Sequence, residues 1–102
     1  MRYSEFWLVY LRAHAKPLTR GLHYVGTLGA LGCLLAAVVS SWWVVLLVPL
    51  VGYGFAWTGH FGVEGNRPAT FGHPFWSFYS DLRMATLALT GRLRHHLTQA
   101  GL

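Results

Sequence analysis

His60 and Glu64 stand one helical turn apart where the chain leaves a long uncharged stretch, and His14 and His23 flank the point where it enters. From Gly21 to Val63 there is no Lys, Arg, Asp or Glu. Imidazoles with a carboxylate suit Fe(II), Mn and Zn. Two or three His with one carboxylate, leaving positions open, is the pattern of non-haem iron oxygenases. The same ligands serve zinc hydrolysis. His14, His23 and His60 are the expected metal ligands and catalytic set, with Glu64 as a fourth ligand or as a residue that orients one. Tyr10, Arg20, Asn66 and Arg67 lie near the same surface and are the expected substrate-binding residues, because an arginine there suits bidentate grip of a carboxylate. Each has a plainer reading beside it. A lone interfacial His is more often hydrogen-bonded than ligating, Glu64 can pair with Arg67, and Arg20 and Arg67 can mark topology at lipid headgroups.

Four helices are expected to position these groups. Residues 4–14 form an amphipathic helix, with Ser4 as a possible N-cap and Trp7, Leu11 and His14 on one face. Pro17 opens the second helix, which runs to Val39. Gly26, Gly29 and Gly32 recur along it, a spacing that lets another helix approach closely in lipid. Ser40-Ser41 breaks the chain. A third helix covers Trp42 to Phe61, with a kink expected at Pro49, and Asn66-Arg67-Pro68 closes it. A fourth runs from Pro74 to Leu93 as an interfacial helix whose wetter side carries Asp81 and Arg83. The end, Arg94-His95-His96, is expected to be solvated and frayed, and His73 is expected in a loop. At 1.5 Å per residue, about 17 and 19 residues from the Ser40-Ser41 turn, His23 and His60 come level to within about 3 Å.

Composition says what surrounds the hairpin. Charged residues make up 11% of the chain and hydrophobic ones 54%, too few and too many for a soluble domain. All the charges lie within residues 2–20 and 64–94. The basic residues therefore sit on both flanks of the apolar hairpin and none in its turn, which is the asymmetry of the positive-inside rule. The expectation is one all-α membrane domain over residues 1–102: two transmembrane helices flanked by two amphipathic ones. It is placed in a bacterial inner membrane with both termini cytoplasmic, in contact with lipid and open to homo-oligomer formation. The net charge of +5 is spread over both flanks without an aromatic-basic platform, so no nucleic-acid partner is expected. The N-terminal apolar run is short and interrupted by Glu5, so no cleaved signal is expected. Cys33 is alone and reads as a small packed hydrophobe.

Two segments, Tyr10 to His23 (YLRAHAKPLTRGLH) and Gly59 to Thr70 (GHFGVEGNRPAT), resemble the 2-hydroxy fatty acid dioxygenase family of phytosphingosine α-oxidation. Tyr10, His14, His23, Gly59-His60, Glu64 and Arg67-Pro68-Ala69 match its pattern. The link between the first two histidines lacks the family's frequent asparagines, and the chain lacks the extra apolar helices of larger members. The resemblance implies an integral membrane enzyme that binds Fe(II), uses O2 and shortens a 2-hydroxy fatty acid or related lipid-like acid by one carbon. It implies His14, His23 and His60 as the iron ligands.

Two other functions fit parts of the pattern. A haem-binding electron-transfer protein would use His23 and His60 as axial ligands, leaving His14 and Glu64 without a task. A non-enzymatic protein that oligomerises through its glycine-lined hairpin would need no histidines at all.

Overall fold

Leu22 to Val39 carries no charged residue between Pro17 and the Ser40-Ser41 break, and it folds as expected. In the computed structural model, which describes residues 1–102, helix α2 spans Pro17–Val39 with Pro17 in its first turn. Its 23 residues give about 35 Å of length. The second arm of the hairpin, Trp42–Glu64, is one helical run in three windings: a 3-10 start at Trp42–Leu46, helix α3 at Leu47–Trp57, and a π-helix at Thr58–Glu64. The winding changes just before Pro49, the third residue of α3, whose missing N–H can donate no bond to the preceding 3-10 turn.

Both arms are long and apolar enough to cross a membrane, and only 11% of each apolar window is buried within the chain. Trp42 and Trp43 stand exposed at the turn. A soluble protein keeps helices this apolar in its core; here the apolar surface faces outward.

The glycine stripe meets the chain's own second arm. A Cβ on Gly26 would stand 3.0 Å from the Gly52 carbonyl oxygen, and one on Gly29 would stand 2.7 Å from a Val51 methyl. Gly32 faces nothing within 4 Å. The close approach expected of these glycines is therefore intramolecular at Gly26 and Gly29.

The charged flanks form the rest. Helix α1 (Tyr3–Ala13), α4 (Pro74–Leu89) and α5 (Leu93–Gln99) pack beside the open end of the hairpin, with a short 3-10 turn at Ala69–Phe71 leading into α4. In all, 81% of the chain is helical and no strand forms. Phe6, Trp7, Tyr10 and Leu11 of α1 pack on Met84, Leu93 and Ala100 to make the apolar core. The end of the chain differs from the expected frayed tail: the Trp7 indole N–H donates to His96 Nδ1 at 3.1 Å and Leu93 is buried. This small bundle fixes α1 against α4, which sets where α1 releases His14.

Candidate metal centre

Three elements deliver one imidazole each. His14 caps the C-terminus of α1, His23 lies two turns into α2, and His60 lies in the π-helix. All three are buried. Ring centroids are 4.3 Å apart for His14 and His23, 4.4 Å for His14 and His60, and 5.1 Å for His23 and His60. One ligand nitrogen from each lies within 4.8 Å of the others.

Local structure explains the convergence. Gly59 lets the second arm press against α2: a Cβ there would stand 3.1 Å from the Thr19 methyl. His60 follows at once and lands beside His23. The wider π turn is common at functional sites. Its end is closed by Gly65 at φ +71°, a left-handed conformation that suits glycine. His14 is set by the Arg20 guanidinium, whose Nη1 donates to the carbonyls of His14 at 2.7 Å and Ala15 at 2.8 Å. Arg20 thus ties α2 to the end of α1.

The outer nitrogens show what the inner ones are for. His14 Nδ1 meets the Tyr10 carbonyl at 2.6 Å, and His23 Nδ1 meets the Thr19 carbonyl at 3.2 Å. His60 Nδ1 meets Asn66 Oδ1 at 2.7 Å, while Asn66 Nδ2 donates to the Ala13 carbonyl at 3.0 Å. Carbonyl oxygens only accept, so each Nδ1 carries its ring's proton and each Nε2 is left with a bare lone pair. His14 Nε2 and His23 Nε2 nevertheless face each other at 2.9 Å. Two lone pairs at that distance repel unless a proton or a cation lies between them. Burial, with His23 adding to it, pushes His14 well below the ordinary imidazole range, which disfavours an extra proton. The donor set therefore fits a metal ion: neutral imidazoles, each oriented by a hydrogen bond from its far nitrogen, as at known metal sites.

The sequence over residues 1–93 matches the family described as 2-hydroxy-palmitic acid dioxygenase Mpo1-like. The chain belongs to this family. No curated protein and no solved structure matches it. The description implies dioxygenase activity on a 2-hydroxy acid, and the histidine cluster of this Mpo1-like chain opens onto a cavity suited to a slender apolar ligand. The cavity has a volume of about 340 Å³, within the range of small-molecule sites. Tyr10, the three histidines, Ser77 and Asp81 line one end. Ala30, Leu31 and Leu34 of α2 with Val48 and Gly52 carry it along the hairpin.

The remaining expected site residues of the Mpo1-like chain lie in different places. Tyr10 is buried at the cavity, and its hydroxyl donates to Asp81 Oδ1. Asn66 does not line the cavity; it orients His60. Neither arginine lines it: Arg20 holds the backbone of His14, and Arg67 lies exposed over the Phe71 ring at 4.8 Å. Glu64 is not drawn into the cluster. Its Oε1 accepts the Lys16 backbone N–H at 2.6 Å, at the N-terminus of α2, where negative charge is favoured.

Sequence reasoning missed Asp81. Its Oδ1 lies 3.9 Å from His23 Nε2, and burial lifts its pKa to about 6 even though the Tyr10 hydroxyl's hydrogen bond lowers it. Burial and the Asp81 charge in turn push Tyr10 well above the usual phenol range. The only signal in the sequence was a lone acid on a helix otherwise free of acids.

Proposed function

We propose that this chain is an integral membrane oxygenase, dependent on Fe(II) and O2, that removes one carbon from a 2-hydroxy fatty acid or a related lipid-like acid. One observation carries the reading: three buried histidines, each with Nδ1 committed to an acceptor and Nε2 turned toward the others, stand at the polar end of an apolar cavity. Family membership supports oxygenation over the zinc hydrolysis that the ligands alone would allow.

His14, His23 and His60 hold the metal. Fe(II), when bound, supplies the one-electron reactivity toward O2 that closed-shell side chains lack. The Tyr10 and Thr19 carbonyls and Asn66 keep the three rings aimed. Asp81 supplies the negative charge that three neutral imidazoles do not, and the Tyr10 hydroxyl holds its carboxylate in place. The apolar walls take the acyl chain and keep water from the reacting end, while the exposed face of the hairpin lets a lipid enter from the bilayer. Cleavage falls between C1 and C2, the only part of such a substrate that is polar enough for this end of the cavity. The basic flanks support a reading in which both termini lie on the cytoplasmic side of a bacterial inner membrane. Haem is a poorer fit, since the three ring centroids form a near-even triangle with sides of 4.3, 4.4 and 5.1 Å, too tight for a macrocycle between His23 and His60.

The test is metal analysis of protein purified without a polyhistidine tag, followed by O2 uptake and product analysis with 2-hydroxypalmitic acid. One iron per chain and a fatty acid one carbon shorter are expected, with both lost on replacing His14, His23 or His60 by Ala. Wild-type protein that takes up no iron, or Ala variants that turn over normally, would end the proposal.

A further inference from the structure

The cavity contains donors that the fold leaves unanswered. Ser77 Oγ and Trp57 Nε1 are buried and have no hydrogen-bond partner, and both residues line the cavity. Ser77 is 3% exposed. Burying an unmet polar group is costly, and proteins keep few of them without a reason. A third such atom, Thr19 Oγ1, belongs to a residue that does not line the cavity and lies against Gly59 instead.

Position narrows the reason. Ser77 lies one turn before Asp81 on α4, Trp57 ends α3 three residues before His60, and both line the same cavity as Asp81 and the three histidines. An indole N–H can only donate and a hydroxyl can do so. One kind of partner answers both, an acceptor. No Lys or Arg lines the cavity, and Arg20 and Arg67 are engaged elsewhere. An acid lodged here must have its charge met by neutral donors and by the metal.

Resting on the oxygenase reading above, we infer that Ser77 and Trp57 donate to the oxygens at the carboxylate-bearing end of the substrate and so select an acid over an uncharged lipid of the same length. They fix which end of the chain enters first. The acyl tail is left to run toward Leu34 and Val48, and C1 and C2 are left beside the histidines. In this role they are specificity and positioning residues.

The test uses full-length, iron-loaded protein in detergent without O2, with binding of 2-hydroxypalmitic acid compared with 1,2-hexadecanediol, which keeps the hydroxyl and lacks the carboxylate. Wild type is expected to prefer the acid. Ser77→Ala and Trp57→Phe each retain iron and hold the diol as wild type does, yet bind the acid about tenfold or more weakly, as expected for losing a hydrogen bond to a charged group. With O2 present the same variants raise KM for the acid more than they lower kcat. Variants that bind the acid as tightly as wild type, or that lose acid and diol equally, overturn this inference and leave the oxygenase reading intact. A wild-type protein that binds and turns over no 2-hydroxy acid overturns the oxygenase reading, and this inference with it.

Discussion

Replacing Asn66 with Ala removes two hydrogen bonds beside the histidine cluster. One is accepted from His60 Nδ1 at 2.7 Å, and the other is donated to the Ala13 carbonyl at 3.0 Å. The first keeps the His60 proton on its outer nitrogen; without it the ring can turn and can carry its proton on the inner one. Losing such a partner lowers metal affinity by about 10–100-fold, or about 1.4–2.7 kcal/mol. The second bond ties the π-helix to the residue before His14, and its loss costs about 1 kcal/mol of stability. Asn66→Asp separates the two effects. It keeps an acceptor for His60 and gives up the donor to Ala13, so affinity should stay within about threefold of wild type while stability falls. Competition against a chelator of known strength, under argon, reads the affinity, and thermal unfolding in detergent reads the stability. An Asn66→Ala protein that binds iron as tightly as wild type would refute the claim that this side chain aims His60.

Three further outcomes are expected. Glu64→Gln keeps full metal content and loses about 0.3–1 kcal/mol at the α2 N-terminus, and loss of metal measured by elemental analysis would return Glu64 to the ligand set. Gly26→Ala drives a Cβ to 3.0 Å from the Gly52 carbonyl oxygen and 3.1 Å from Phe55 Cβ, which should cost about 1–3 kcal/mol, whereas Gly32→Ala meets nothing and should be neutral or better; equal thermal stability of the two variants would contradict the packing described for the hairpin. The docking of α5 should weaken in acid. His96 Nδ1 accepts the Trp7 N–H and so must be unprotonated, and burial, Arg83 and His95 lower its pKa below the ordinary 6.5. That contribution is present above about pH 6.5 and is lost as pH falls toward the lowered folded value. Lower amide protection factors across residues 93–99 below pH 6.5, corrected for the intrinsic pH dependence of exchange, read it out, and His96→Gln should flatten the profile.

Much of the fold was written in single-residue punctuation. Pro17 and the Ser40-Ser41 pair bound α2 because a proline starts a helix easily and two hydroxyl residues end an apolar run. The level placement of His23 and His60 follows from equal arm lengths, which a constant rise makes countable. Two misreadings share a cause: they concern partners far away in sequence. Asp81 looked like the wetter side of α4, since a helical stripe cannot say that Tyr10 and His23 wait opposite it. The end of the chain looked frayed because the bond between Trp7 and His96 spans 89 positions. Arg20 and Arg67 looked like hands for a carboxylate because charge was counted without geometry, and a guanidinium is as readily used up on exposed carbonyls as on a substrate. Gly59, Gly62 and Gly65 signalled an irregular helix end without specifying a π turn.

That turn gives the second arm more residues than an α-helical path between the same endpoints would need. An α-helix rotates by about 100° per residue. Deleting one position within Thr58–Glu64 would let the segment relax to ordinary winding and would swing His60 about a quarter-turn relative to the stretch that follows. The extra residue thus works as a rotational spacer. It lets the outward apolar side of Trp42–Trp57 and the inward aim of His60 be set independently, so the outer surface of the hairpin can change without disturbing the histidine cluster.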